Sequence, residues 1–157
     1  MATFEEILEE AIRLELLVGE LYLLFSRQHR QDEPFWWKLA LEEENHAALL
    51  KTVQKMDAAR VPVPTSLLPE KLEVLMESTA AVEKTIEEFE ENPDRTRAFQ
   101  VAYEIETSAG EVHYNDFMTA EGNSHVIKVF RKLNGDDVDH AQRIRAYMEN
   151  HGIPEKS

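Results

Sequence analysis

The stretch that most constrains the fold of this chain runs from Trp36 to Val53, WWKLALEEENHAALLKTV. Positions 36, 39, 43, 46, 50 and 53 alternate by three and four, the spacing that keeps side chains on one stripe of an α-helix. Trp36, Leu39, Leu50 and Val53 are apolar, whereas Glu43 and His46 put an ionisable pair one turn apart in the middle of the stripe. A buried carboxylate costs several kcal/mol unless something compensates it. A bound cation is one such compensation, because Glu-x-x-His at i and i+3 can offer an oxygen and a nitrogen to the same ion. Acids and histidines fall three apart by chance in many helices, so the motif acquires meaning only if the rest of the chain supplies further ligands.

Three other helical stretches supply them. A helix over about residues 2 to 28 has the seam Phe4, Leu8, Ala11, Glu15, Val18, Tyr22 and Phe25, with one acid in an apolar and aromatic row. Asp32 and Pro34 suit the start of the second helix, which reaches about Arg60 before the connector VPVPTS. A helix over about 94 to 121, closed by Gly122, carries Phe99, Ala102, Glu106, Ala109, His113 and Ala120, again with a single seam acid. The last helix, capped by Ser124 and ending before Gly152 and Pro154, carries Val126, Phe130, Leu133, Asp137, His140, Ile144 and Tyr147. Between these pairs lies a helix at about 67–91 whose seam, Leu68 to Phe89, contains neither acid nor histidine. Its role is packing, against the bundle or in a subunit interface.

The two halves repeat. The shift that lays Glu15 on Glu106 also lays Ala11 on Ala102, Gly19 on Gly110 and Tyr22 on His113. A slightly longer shift lays His46 on His140, Leu39 on Leu133, Glu43 on Asp137 and Ala47 on Ala141. Each half is therefore a helical hairpin giving one seam acid from its first helix and an acid-x-x-His from its second. Four acids (Glu15, Glu43, Glu106, Asp137) and two histidines (His46, His140) would converge in one core. Alone, four close carboxylates would have to take up protons; two divalent cations would cancel their charge. Oxygen-rich ligation with one imidazole per ion suits iron or manganese.

Composition narrows the alternatives. The chain has 157 residues, enough for one domain over 1–152 with a short polar tail at 153–157. With 31 acidic and 17 basic residues its formal net charge is -14, which disfavours nucleic acid and anionic membrane surfaces as partners. The absence of cysteine excludes disulfides, thiolate-ligated zinc, iron–sulfur clusters and thiol catalysis within the chain. No apolar run reaches membrane-spanning length and the start, MATFEEILEE, is acidic, so a soluble cytoplasmic protein is expected.

In RLELLVGELY, LALEEENH, YEIETSAGEVHY and LNGDDVDHAQRIRAYM the chain resembles the rubrerythrin branch of the ferritin-like di-iron carboxylate family. A Glu from each of two helices and Glu-x-x-His from each of two others is the ligand set of such proteins. The resemblance implies an all-α, ferritin-like four-helix bundle with an additional connector helix. It implies two iron ions, with manganese or a mixed pair as alternatives, held by Glu15, Glu43, His46, Glu106, Asp137 and His140. Reduction of hydrogen peroxide or dioxygen by a homodimer or larger homo-oligomer is the activity expected. Three departures shape the details. The last motif is Asp-x-x-His, with Asp137 one methylene shorter than Glu, and Gly135 just before it is where a kink or restart would fall. Lacking the Cys-ligated centre of rubrerythrins proper, the chain needs an external electron donor protein. The family's additional helix Glu would fall at Ala109, and His113 stands where Tyr is usual, which makes His113 and Tyr22 candidates for roles beside the ligands. The rival functions are iron oxidation for storage or transfer, and a helical interaction protein whose metal site has decayed.

Overall fold

Thr3 and Glu6 open the first helix with a reciprocal cap. The Glu6 amide donates to the Thr3 hydroxyl at 3.1 Å, and the Thr3 amide donates to the Glu6 carboxylate at 2.9 Å, so two amides that a helix start leaves open are satisfied. From this cap α1 runs over Phe4–Gln28 in the computed structural model, which describes residues 3–55, 68–109 and 125–155. A 3-10 turn, Arg30–Asp32, leads into α2 (Glu33–Lys55). There follow α3 (Leu68–Glu91), α4 (Arg95–Ala109) and α5 (His125–Asn150). The described residues are thus all-α, with no strand among them. The VPVPTS connector, Gly110, His113, the expected stop at Gly122 and the Ser124 cap lie outside the described residues.

The helices assemble by burying the stripes read from the sequence. α1 packs along both α2 and α3, α4 pairs with α5, and α2 meets α5. α3 buries Leu75, Val82, Ile86 and Phe89, which assigns its acid-free seam to packing on α1. Its buried Thr79 hydroxyl is satisfied locally by donating to the Leu75 carbonyl at 2.8 Å. One layer of the core is aromatic and draws on every helix. Phe25 meets Trp36 and Phe89 edge-on at 4.9 Å, Trp36 lies 4.5 Å from Phe99, and Phe35 stacks on Tyr147 at 4.3 Å. Such contacts add about 0.5–1.5 kcal/mol each beyond the area they bury. Trp37, beside this layer, is half exposed.

α5 is continuous through Asn134 and Gly135, so the expected kink or restart does not occur and Asp137 keeps its place on the buried stripe with Leu133, His140 and Ile144. The helix ends in a left-handed cap. Gly152 has φ 66°, and the Ile153 amide turns back to the Met148 carbonyl at 2.9 Å. Ile153 and Met148 are both buried, so the ordered core reaches into the segment read as a polar tail. None of the described helices is long and apolar enough to cross a membrane.

Candidate metal centre

The six candidate ligands come from the inward stripes of four helices: Glu15 from α1, Glu43 and His46 from α2, Glu106 from α4, Asp137 and His140 from α5. All six are buried, none more than 6% exposed. The packing that brings them together is closest at Gly19. A Cβ there would lie 3.4 Å from the Glu43 Cβ and 3.5 Å from the Ala40 carbonyl oxygen. The absent side chain lets α1 close on α2 beside a ligand.

The donor atoms form two groups. Glu15, Glu43 and His46 make one, and Glu43, Glu106, Asp137 and His140 the other; within each, one donor atom per residue lies within 4.8 Å of the rest. Donors around one octahedral ion at about 2 Å are spread over roughly 3–4 Å, so each group has the dimensions of a cation site. Glu43 belongs to both, the position of a bridging carboxylate. Both imidazoles turn Nδ1 inward. His46 Nδ1 stands 3.4 Å from Glu43, 3.6 Å from Glu15 and 3.9 Å from Asp137, and His140 Nδ1 stands 3.1 Å from Glu43 and 3.5 Å from Glu106. The rings face one another, 5.4 Å apart and 16° from parallel.

Three buried atoms of these six residues, His46 Nδ1, Asp137 Oδ2 and His140 Nε2, make no hydrogen bond within the protein. Buried polar atoms without partners are rare, and a cation in each group would satisfy two of them, His46 Nδ1 in the first and Asp137 Oδ2 in the second. The donor set therefore fits a pair of divalent cations. The electrostatics agree. Burial first, then crowding by Glu106 and Glu15, holds the Glu43 carboxyl well above the usual range; burial, Glu15 and Glu106 do the same to Asp137. Burial pulls the His46 imidazole down, but the Glu15 and Glu43 carboxylates outweigh it and push it up to about 12. Glu106 raises His140 against burial in the same way. Protons held by these groups are what metal ions displace on binding.

A second set of residues orients the ligands. His46 Nε2 lies 3.1 Å from Asp136, whose carboxylate also accepts from Lys132 at 3.1 Å. His140 Nε2 faces Glu42 at 3.8 Å, and Arg143 clamps Glu42 through two bonds of 2.9 Å. Burial works to raise both acids, but Lys132 and His46 hold Asp136 below the usual carboxylate range, and Arg143 does so for Glu42. The charged Asp136 at His46 Nε2 keeps the ring proton there and would leave the Nδ1 lone pair for a metal, whereas Glu42 stands beyond hydrogen-bond distance of His140 Nε2. Tyr22 is fully buried and donates to Glu106 at 2.6 Å; burial, then Glu106 and Glu43, raise its pKa well above 10, so its proton stays on.

Reading the seams alone passes over Glu42 and Asp136. The signal for them is the doublet: the acid of each acid-x-x-His motif is preceded by another acid, Glu42-Glu43 and Asp136-Asp137, at matching places in the repeat. Glu20, five residues past Glu15, is exposed, as helical geometry requires. No protein-family model, no curated protein and no solved structure matches the chain.

Proposed function

We propose that this chain is a ferritin-like dimetal carboxylate oxidoreductase of rubrerythrin type, reducing hydrogen peroxide or dioxygen with electrons from an external donor protein. The observation that carries the reading is the convergence of four acids and two histidines, from four helices, in a core closed to water. Glu15, Glu43 and His46 would hold one ion, and Glu106, Asp137 and His140 the second, with Glu43 shared. Oxygen donors with one imidazole per ion and no thiolate favour iron, then manganese. When bound, a redox-active pair supplies electrons and Lewis acidity to an oxygen–oxygen bond. The chain's own contribution is placement. Asp136 holds the His46 imidazole, Glu42 stands behind that of His140, and Tyr22 keeps a proton against Glu106. Reduction of one peroxide to two waters takes two electrons and two protons, and a chain without cysteine takes those electrons from outside.

The buried position of Asp137 among the other five weighs against a decayed site. The deciding experiment is metal content per chain after reconstitution with ferrous iron, followed by turnover of peroxide or dioxygen with a reductant. We expect about two irons per chain, lost in His46→Ala, and repeated turnover. A chain that resists reconstitution refutes the metal reading. One that oxidises its iron once and does not cycle belongs to iron handling instead.

A further inference from the structure

A cleft of about 280 Å³ opens between α1, α3 and α4. It exists because α3 presents small side chains there, Ser78, Ala81 and Thr85, at successive turns facing α4. The inner wall is Leu14, Val18 and Ile105, and the mouth carries Arg97 and Glu104, loosely paired at 3.7 Å. The same three aliphatic residues line a second space of about 10 Å³, whose other walls are Glu15, Glu43, Glu106 and Asp137. That volume holds about one water-sized molecule. A wall one side chain thick is all that separates an open cleft from four of the metal-binding carboxylates.

We infer that this cleft is the approach to the metal pair, and that its aliphatic wall makes dioxygen, rather than hydrogen peroxide, the oxidant it admits. The inference rests on the dimetal reading and narrows it. Leu14, Val18 and Ile105 carry no polar side-chain atom, so a molecule passing between them gives up every hydrogen bond it makes in water. For peroxide, with two donors and four lone pairs, that loss is several kcal/mol; dioxygen makes no such bonds and loses none. Ions are excluded more strongly still, so metals enter by another path. Leu14 and Val18 are buried and Ile105 is half-buried, so a diatomic molecule crosses when the packed wall moves aside transiently, Ile105 being its least confined member.

The test uses two variants on α3, which carries no ligand: Ser78→Trp, which fills the cleft, and Ala81→Phe at a more exposed position beside it. Each is loaded anaerobically to two ferrous ions per chain and mixed with dioxygen or with peroxide in a stopped-flow instrument. In the dioxygen reaction two ferrous ions give one electron each, and dioxygen takes up two protons to become hydrogen peroxide, which leaves by the path the metals use rather than across the aliphatic wall. Crystals of the same proteins under xenon report on the cleft without any metal. We expect xenon beside Val18 and Ile105 in the parent chain and not in Ser78→Trp. We also expect dioxygen to oxidise the parent faster than peroxide at equal concentration, and at least tenfold more slowly in Ser78→Trp at unchanged metal content. Equal dioxygen rates in parent and variants at full metal content, a cleft that takes no xenon, or faster oxidation by peroxide in the parent each overturn the inference. A parent chain that takes up no metal refutes the dimetal reading itself, and the metal count tells that failure apart from the others.

Discussion

At Asp136 and Glu42 the distance to each imidazole sets how firmly that ring is held. Asp136 reaches His46 at hydrogen-bond distance, 3.1 Å, whereas Glu42 stops 3.8 Å from His140 with its two oxygens engaged by Arg143. Partners behind a ligating histidine are worth about 10- to 100-fold in metal affinity. Asp136→Asn should weaken iron binding by that amount, and Glu42→Gln by less, in competition with a chromogenic chelator and with helical circular dichroism unchanged. An equal or larger loss in Glu42→Gln would contradict the orientation argument. The six candidate ligands, which the fold buries together, were legible because an ionisable residue on an apolar stripe is conspicuous. Glu42 and Asp136 were not, since each lies one residue off the stripe, about a third exposed, where acids are ordinary.

Among the helices, α5 shows how an element overrides a local preference. Gly135 was a reasonable place for a break, because glycine costs about 1 kcal/mol relative to Ala inside a helix. Leu133, Asp137, His140 and Ile144 are buried on both sides of it, and their packing keeps the turn intact. A Cβ on Gly135 would meet nothing within 4 Å, and its φ is not positive. Gly135→Ala should therefore stabilise the protein by about 0.5–1 kcal/mol, raising Tm by roughly 2–4 °C. Gly152→Ala should do the reverse, costing about 1–2 kcal/mol, because only glycine holds the left-handed cap without strain. Thermal unfolding followed at 222 nm checks both; a loss of stability in Gly135→Ala would mean that a neighbour does crowd that face.

For the whole molecule, the contacts that matter most join residues far apart in sequence. The buried Asp32 carboxylate accepts from Arg95 at 2.7 and 2.9 Å and from the Tyr147 hydroxyl at 2.7 Å, tying the approach to α2 to the start of α4 and the end of α5. From sequence Asp32 reads only as a helix cap, since no local pattern reveals partners on other helices. Burial raises its pKa, but Arg95 and Tyr147 outweigh burial and hold it below the usual range. A carboxylate lowered in the folded state stabilises above its unfolded pKa, near 4, and that stabilisation is lost as pH falls through the folded value. Asp32→Ala should cost about 2 kcal/mol at pH 7, with the gap to the parent narrowing toward pH 3. Melts across that range test the sign. Metal loading acts on the same scale: binding to the folded state alone stabilises by about 2.7 kcal/mol at 100 times Kd. A chelator should lower the Tm of the iron-loaded protein and leave that of His46→Ala unmoved, as calorimetry would show.

The acids behind the histidines also cross over. Asp136 of the second hairpin stands behind His46 of the first, and Glu42 of the first stands behind His140 of the second. A two-fold rotation between α2 and α5 interchanges these contacts, as it does in a symmetric pair of identical subunits. One hairpin, associating with a copy of itself, would make the same exchange across a molecular axis. The chain thus has the form of such a dimer written into one polypeptide, with α3 on the link between the halves. The two hairpins differ where Glu43 answers to Asp137 and Glu42 to Asp136. The two candidate ligand groups are thus one arrangement written twice, unequal only where the two hairpins differ.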